Sequence, residues 1–353
     1  MKRILDKELY SFCERALVMK GMDEEDAAVT ARILVTTDKW GISTHGTKNL
    51  FGYIQKKEAG GVSFSAKPVI VLDLPSMTVV DGNNAMGYIS SEKAMRIACD
   101  KAKKTGIAIS LVKNSCHFGA AGYYSNIAAQ EGLIGCTMSN VDKKMTIPGA
   151  KGMVMGHNPF SLSAPATIIP SIILDISSSN VASLKVLRAK AEGSLIPYGW
   201  ISDVNGLPTN DPSKYPDEGA LLPFGNHKGY GIAMFVEMLT SVILSQSDST
   251  SEDVHSWCFD LDKPNNVCHA FIAVNPNVVG GENAFPIRVD QFIEELHNAP
   301  KADDSEGIFV PGEGMWKRFS QAEENGIPIA NDVEEELCKV AEITGLELKF
   351  LME

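Results

Sequence analysis

The sequence lacks the features that mark secreted or membrane proteins. Its seven cysteines (Cys13, Cys99, Cys116, Cys136, Cys258, Cys268 and Cys338) are odd in number, scattered, and include no Cys-x-x-Cys pair. That excludes a disulfide framework and reads as reduced thiols in a cytoplasmic protein. The best apolar run, Ile232 to Leu244, is too short to span a bilayer and contains Glu237. The opening residues Lys2-Arg3-Ile4-Leu5-Asp6-Lys7 have no apolar core of the kind a secretory signal carries. Positive charge is scarce: 32 Lys+Arg stand against 44 Asp+Glu, a formal net charge of -12. Such a surface repels nucleic acid and anionic lipid, so neither is expected as a partner. A small anionic ligand is not excluded, because local donors outweigh a distant background that salt screens.

The common signatures of catalysis are absent as well. No Gly-x-Gly-x-x-Gly follows a strand, which disfavours a Rossmann dehydrogenase on spacing alone. No P-loop, His-Glu-x-x-His or Gly-x-Ser-x-Gly sequence occurs, which removes the simplest readings as NTPase, metalloprotease or α/β-hydrolase. His255, Cys258, Cys268 and His269 are permitted zinc ligands, but the nine-residue gap between the cysteines fits no zinc-finger spacing. No metal is expected. The acidic stretch Asp332, Glu334, Glu335, Glu336 reads as a solvated helix face.

What remains is a chain of 353 residues, 44% hydrophobic and 22% charged, long enough to bury a large core. Asp6 is a plausible cap for a first helix carrying Leu9, Phe12, Cys13, Ala16 and Leu17, ended by Gly21. Asp23 caps a second, with Ala27, Ala31, Leu34 and Val35 on one face and Gly41 at its end. From about residue 68 the texture changes. Val69 to Leu72 and Thr78 to Val80 read as strands meeting the turn Asp81-Gly82-Asn83. A helix from Ser91 to Lys103, a buried strand over 107–112, a helix from Ala120 to Glu131 and a strand over 133–138 follow. This alternation predicts an α/β fold. Residues 1–67 form a helical region expected to pack with 311–353, and 68–310 an α/β cofactor- and substrate-binding region.

Two histidines sit where regular elements end. His45 lies in Ser43-Thr44-His45-Gly46, and His117 in Asn114-Ser115-Cys116-His117-Phe118-Gly119. Oxidising a secondary alcohol needs a group that takes the hydroxyl proton as hydride leaves, and imidazole titrates in the right range. A loop histidine satisfied by backbone is the bland alternative for each. Lys228 opens a helix between Gly225 and Gly229, Gly231, a setting suited to phosphate or to an exposed lysine in a glycine-rich turn.

Taken together, these stretches resemble the type-2 malate/L-lactate dehydrogenase family, which includes ureidoglycolate and sulfolactate dehydrogenases, diketogulonate reductase and piperideine-2-carboxylate reductases. The resemblance runs in order through Gly41-Ile42 with His45-Gly46, Asp81-Gly82-Asn83, Asn114-Ser115 with His117-Phe118-Gly119, and Pro148-Gly149. It continues through Gly156 with Asn158-Pro159, Leu174-Asp175 with Ser178, Gly199-Trp200, Lys228-Gly229-Tyr230-Gly231 and Pro311-Gly312-Glu313. It implies a non-Rossmann α/β fold, a homodimer, and a nicotinamide cofactor (NAD, with NADP as the alternative). It also implies hydride transfer between a small 2-hydroxy acid and its 2-oxo acid. Reduction of an imine acid or a diketo sugar acid, or a catalytically silent nucleotide-binding relative, are the rival readings.

By the same resemblance, Asp175, Ile176, Ser177, Lys228, Gly312, Glu313 and Gly314 correspond to cofactor contacts, and His45 and His117 to the two active-site histidines. We expect His117 to exchange the proton and His45 to orient the substrate, with the reverse assignment as rival. Thr44, Asn49, Tyr53, Asp142 and His157 are the expected substrate residues. The sequence departs from the family pattern at Asn49, where an arginine is usual. A charge-assisted bond worth about 1.5–3 kcal/mol becomes a neutral one of about 0.5–1.5. Lys48 is the neighbouring cation, though adjacent helical positions do not share a face. His157 in place of threonine, Trp40 in place of arginine and Leu184 in place of glycine are further departures. They predict a kept cofactor site and an altered acid-binding end, with His157 as a replacement donor.

Overall fold

The computed structural model describes residues 2–244 and 251–351. Strand β1 (Arg3–Ile4) leads into helices α1 (Asp6–Met19) and α2 (Glu24–Lys39), and two 3-10 turns, Ser43–His45 and Thr47–Asn49, precede α3 (Leu50–Glu58). Asp23 caps α2 by accepting from Asp26 N at 3.0 Å. Asp6 is not a cap: Leu5 holds that position, and Asp6 is the first helical residue, placing its charge at the positive end of α1.

The central region runs β2 (Val69–Asp73), β3 (Met77–Asp81), α4 (Gly87–Thr105), β4 (Ile107–Ser115), α5 (Ala121–Gln130), β5 (Ile134–Ser139), β6 (Phe160–Pro165) and β7 (Ser171–Ile176). Helix α4 starts a turn before the expected Ser91, because Gly87 fits beneath the Cys116 and His117 carbonyls. After α6 (Ser183–Glu192), short strands β8 (Ile201–Ser202), β9 (Pro208–Thr209) and β10 (Ala220–Leu221) make a small sheet in the order β10-β8-β9. Helix α7 (His227–Glu237) passes into a π-helical turn, Met238–Val242. Strand β11 (Val267–Val274), α8 (Asn277–Gly280), α9 (Ala284–His297), α10 (Glu313–Asn325), β12 (Ile327–Pro328) and α11 (Asn331–Thr344) complete the chain.

The main sheet has seven strands in the order β2-β3-β4-β11-β5-β6-β7. Only the β3–β4 pair, joined by the α4 crossover, is parallel. Side chains alternate through it. Ala108, Val112, Phe271 and Ala273 join the core beneath α4 and α5, while Ile109, Leu111, Ala270 and Ile272 face α7. Strand β11, at the centre, is not among the elements that the sequence pattern predicts. Two of the permitted zinc ligands, Cys268 and His269, belong to it. His269 is buried between the hydroxyls of Ser139 (2.9 Å) and Ser115 (3.0 Å).

The C-terminal helices return to the N-terminal ones, α10 against α2 and α11 against α3. Trp316 meets Trp40 edge-on with ring centroids 5.9 Å apart, and Arg318 Nε donates to Trp40 O at 2.8 Å. Trp40, a departure from the family pattern, thus fills a core between these helices.

Candidate active site

His45 is presented by a turn that α2 anchors. The Asp38 carboxylate, buried at the end of α2, accepts from Thr47 N at 3.0 Å and Thr47 Oγ1 at 2.5 Å. Burial pushes its pKa up to about 7 despite these bonds. Gly46 allows this approach, since a Cβ there would overlap the carboxylate. Asn49 Nδ2 donates to Thr44 O at 3.0 Å, and Thr44 Oγ1 lies 2.9 Å from His45 Nδ1. With Nδ1 occupied, Nε2 is the nitrogen His45 can offer a ligand.

His117 follows β4, facing His45. Their rings stack with centroids 5.7 Å apart at 26°. Tyr53 OH, from α3, lies 2.6 Å from His117 Nδ1, and Tyr88 OH, from α4, lies 2.9 Å from Tyr53 OH. Trp257 stacks on the His117 ring at 4.8 Å and 17°. Burial takes the His117 pKa well below 6.5, and His45, Lys144 and His269 add to the fall. Burial and then Lys144 lower His45 to about 4. Both imidazoles are therefore neutral near pH 7. Tyr53, expected as a substrate contact, is buried behind His117 and reaches the cleft through it.

A third histidine shares this space. Burial, with Lys144 and His45 adding to it, lowers the pKa of His157 to about 3, and its Nδ1 is buried without a partner. Asp142 pairs with Lys144 at 3.3 Å. These segments are held by one buried carboxylate, Glu237. It accepts from Asn140 Nδ2 (3.2 Å), Asn158 Nδ2 (2.8 Å) and Ser241 Oγ (2.6 Å). Ser241 reaches it from the π-helical turn, a distortion often found at functional sites.

The expected cofactor segments converge beside His157. Ser178 N donates to His157 O at 3.1 Å, and Phe224 N to Ser178 O at 3.0 Å, tying the end of β7 to the approach to α7. Gly229 makes this possible, because a Cβ there would overlap Ser178 O. Ile173 N donates to Pro311 O at 3.1 Å, which brings Gly312-Glu313-Gly314 to β7. Lys228 is exposed on the first turn of α7, and Ser178 Oγ is buried without a partner. An exposed cation at the start of an eleven-residue helix, beside an unpartnered buried hydroxyl, fits a phosphate-bearing ligand.

Other expected contacts are engaged within the chain. Asp175 Oδ2 accepts from Gly122 N at 2.7 Å, and burial raises its pKa to about 6. Ser177 Oγ lies 3.1 Å from Ser179 Oγ, and Ile176 pairs with Phe160. The Glu313 carboxylate lies 2.8 Å from His297 Nε2 and accepts from Val310 N at 3.1 Å. Lys48 pairs with Asp332 at 2.7 Å.

Sequence reasoning missed Asp38, Tyr88, Lys144, Glu237 and Trp257. Asp38, Tyr88, Glu237 and Trp257 act through neighbours distant in sequence, and none sits in a short motif. Lys144 alone carried a local signal, as one of two lysines following Asp142.

The malate/L-lactate dehydrogenase family model matches residues 4–338. A malate dehydrogenase from Pyrococcus abyssi is 34% identical over 352 residues, covering 98% of this chain and 96% of its own. The solved structure of a sulfolactate dehydrogenase from Methanocaldococcus jannaschii superposes with a TM-score of 0.89 at 30% identity, covering 98% of both chains. That of a malate dehydrogenase from Entamoeba histolytica gives 0.91 at 27% identity, covering 98% of this chain and 99% of that one.

Proposed function

The chain belongs to the malate/L-lactate dehydrogenase family, and from that premise we propose that it interconverts a small 2-hydroxy acid and its 2-oxo acid with NAD. The observation that carries the reading is the facing pair of neutral histidines, one backed by a tyrosine and the other by a threonine. The three similar proteins named above are hydroxy-acid dehydrogenases, which favours this reading over reduction of imine or diketo acids.

In the oxidative direction His117 takes the hydroxyl proton on Nε2 while Tyr53 holds Nδ1, and His45 Nε2 orients the same oxygen. The depressed pKa values keep each imidazole neutral, with a lone pair open to accept a proton, at neutral pH. In the reductive direction the proton returns from His117 to the nascent alkoxide. Trp257, stacked on His117, excludes water from this exchange. A bound nicotinamide would supply or accept the hydride. Lys228, Ser178, Asp175, Ile176, Ser177 and the Gly312-Glu313-Gly314 turn are the residues that would hold it, with Lys228 and the start of α7 toward phosphate. Thr44, Asn49, Asp142 and His157 surround the substrate, and Tyr53, Thr44 and Asn49 also act by fixing the histidines.

A homodimer is part of the proposal. Phe235 (59% exposed), Met238, Val242 and Ile243 leave an apolar face on α7 and its π-helical extension. An open groove of about 320 Å³ on this face is lined by Met138, Phe160, Lys228, Ile232, Phe235 and Val236. A cytoplasmic setting agrees with seven free cysteines. No described helix is long and apolar enough to cross a membrane.

The test is loss of NADH, and separately NADPH, absorbance with purified protein and pyruvate, oxaloacetate, sulfopyruvate, a diketo sugar acid and a cyclic imine acid. Turnover of a 2-oxo acid with NADH is expected. No turnover of any 2-oxo acid overturns the reading, and a preference for NADPH corrects the cofactor.

A further inference from the structure

A 2-hydroxy acid brings a carboxylate into the cleft, and an apolar-walled pocket accepts an anion only where a donor or cation meets it. Three other cations of these segments are engaged by carboxylates. Lys48 is held by Asp332, Lys143 by Glu252, and Arg32 forks onto Glu92 at 2.7 and 2.9 Å. Asn49 is neutral, and its amide is taken by Thr44 O.

Lys144 is placed differently. Its side chain is 18% exposed, and its charge adds to burial in lowering the pKa of His45, His117 and His157 alike. The main chain beneath it is fixed on both sides: Lys144 N donates to Met155 O at 3.1 Å, and Leu221 N to Lys144 O at 2.9 Å. The pairing of Met145 with Met155 brings His157 alongside, two residues further on. An ammonium has three donors, and the bond to Asp142 leaves others for a ligand. His157 adds its buried, unpartnered Nδ1, which donates in the neutral tautomer protonated there.

We propose that Lys144 and His157 Nδ1 receive the substrate's carboxylate, and that Lys144 is the residue by which this cleft selects acids. The proposal rests on the dehydrogenase reading above. Asp142 then holds the ammonium toward the rings, and the cleft has a cation for the acid without an arginine at position 49.

The test compares wild type, Lys144→Gln and Lys144→Arg for binding of oxamate, a small mimic of a 2-oxo acid, to the NADH-loaded protein. In parallel, KM is measured for the best 2-oxo acid and for its neutral amide. NADH affinity, measured first, reports that each variant is folded. Lys144→Gln is expected to weaken oxamate, and to raise KM for the acid, by about 10- to 100-fold, the range of a lost charge-assisted bond. KM for the amide should stay within about twofold, and Lys144→Arg should recover most of the loss. If Lys144→Gln binds NADH and keeps wild-type oxamate affinity and acid preference, the assignment is overturned while the dehydrogenase reading stands. If wild type binds NADH but neither binds oxamate nor turns over any 2-oxo acid, both are overturned.

Discussion

The Tyr53 hydroxyl lies 2.6 Å from Nδ1 of His117, with Tyr88 OH a further 2.9 Å behind. The pair fixes which histidine nitrogen faces the cleft and holds the ring nearly parallel to that of His45. Tyr53→Phe keeps the ring that packs on Trp257 at 4.9 Å but removes the hydroxyl. We expect kcat to fall about 10-fold, as for loss of one hydrogen bond, with KM for substrate nearly unchanged. Steady-state kinetics in both directions decide it; an unchanged kcat would remove Tyr53 from the proton path.

The depressed histidine pKa values set a pH signature. His45 titrates at about 4 and His117 well below 6.5, so both are neutral above that range. A base is active in its neutral form. Oxidation should therefore be flat through neutrality and lose kcat/KM only as pH falls through the depressed values. Reduction draws on the protonated imidazole, so its rate should climb as pH drops below 7. Profiles of kcat/KM in the two directions provide the check, and an oxidative acid limb at or above 6.5 would contradict the assignment.

Asp38 gives the fold a pH dependence of opposite origin. Burial holds its folded pKa at about 7, above the unfolded value of about 3.9. Between these values the folded state keeps a proton that the unfolded state has released, so this group's contribution to stability falls as pH rises from about 4 to about 7. Asp38→Asn should remove that part of the slope, visible as denaturation midpoints compared at about pH 5 and pH 7.5. Equal slopes in variant and wild type would place the titration elsewhere. Gly46→Ala, whose Cβ would press on the same carboxylate, should displace His45 and lower kcat.

Glu237 concerns the other wall of the cleft. Its three donors, Asn140, Asn158 and Ser241, are all buried. Glu237→Ala strands them and should destabilise the protein by about 2–5 kcal/mol, measured by urea unfolding. Because Asn140 and Asn158 flank Lys144 and His157 in sequence, substrate KM should rise as well. A stable variant with unchanged KM would show that the network does not position the cleft.

Much of the fold is legible in the sequence, and the reason lies in periodicity. The caps and apolar spacing of α2, the β-branched runs of β2 and β3, and the strand–helix–strand order around α4 and α5 are local signals. Strand β11 is not legible in the same way. Its Val-Cys-His-Ala-Phe-Ile-Ala-Val run is buried on both faces and lacks the polar alternation of an edge strand, and its Cys268 and His269 read equally as ligands. The two facing histidines, His45 and His117, are legible as residues at the ends of regular elements with a glycine close behind. Asp38, Trp257 and Lys144 are not, since they reach the histidines only through the fold.

Asn49 makes the sharpest test of the acid-binding end. It is buried, and its amide donates to Thr44 O, so Asn49→Ala should loosen the turn that holds His45 Nδ1 through Thr44. The expected loss is about 1 kcal/mol of stability and a several-fold fall in kcat. Asn49→Arg restores the family's usual residue, but it replaces a buried neutral amide with a guanidinium. Such a charge destabilises until an anion arrives. The variant should therefore melt below wild type when free. Oxamate should then raise its melting temperature by more than it raises that of wild type, because ligand binding to the folded state alone shifts the equilibrium. Thermal denaturation with and without oxamate, both in NADH, measures this. An equal shift in the two proteins would mean that position 49 does not reach the substrate's carboxylate, and that Lys144 and His157 receive it without help from the turn that carries His45.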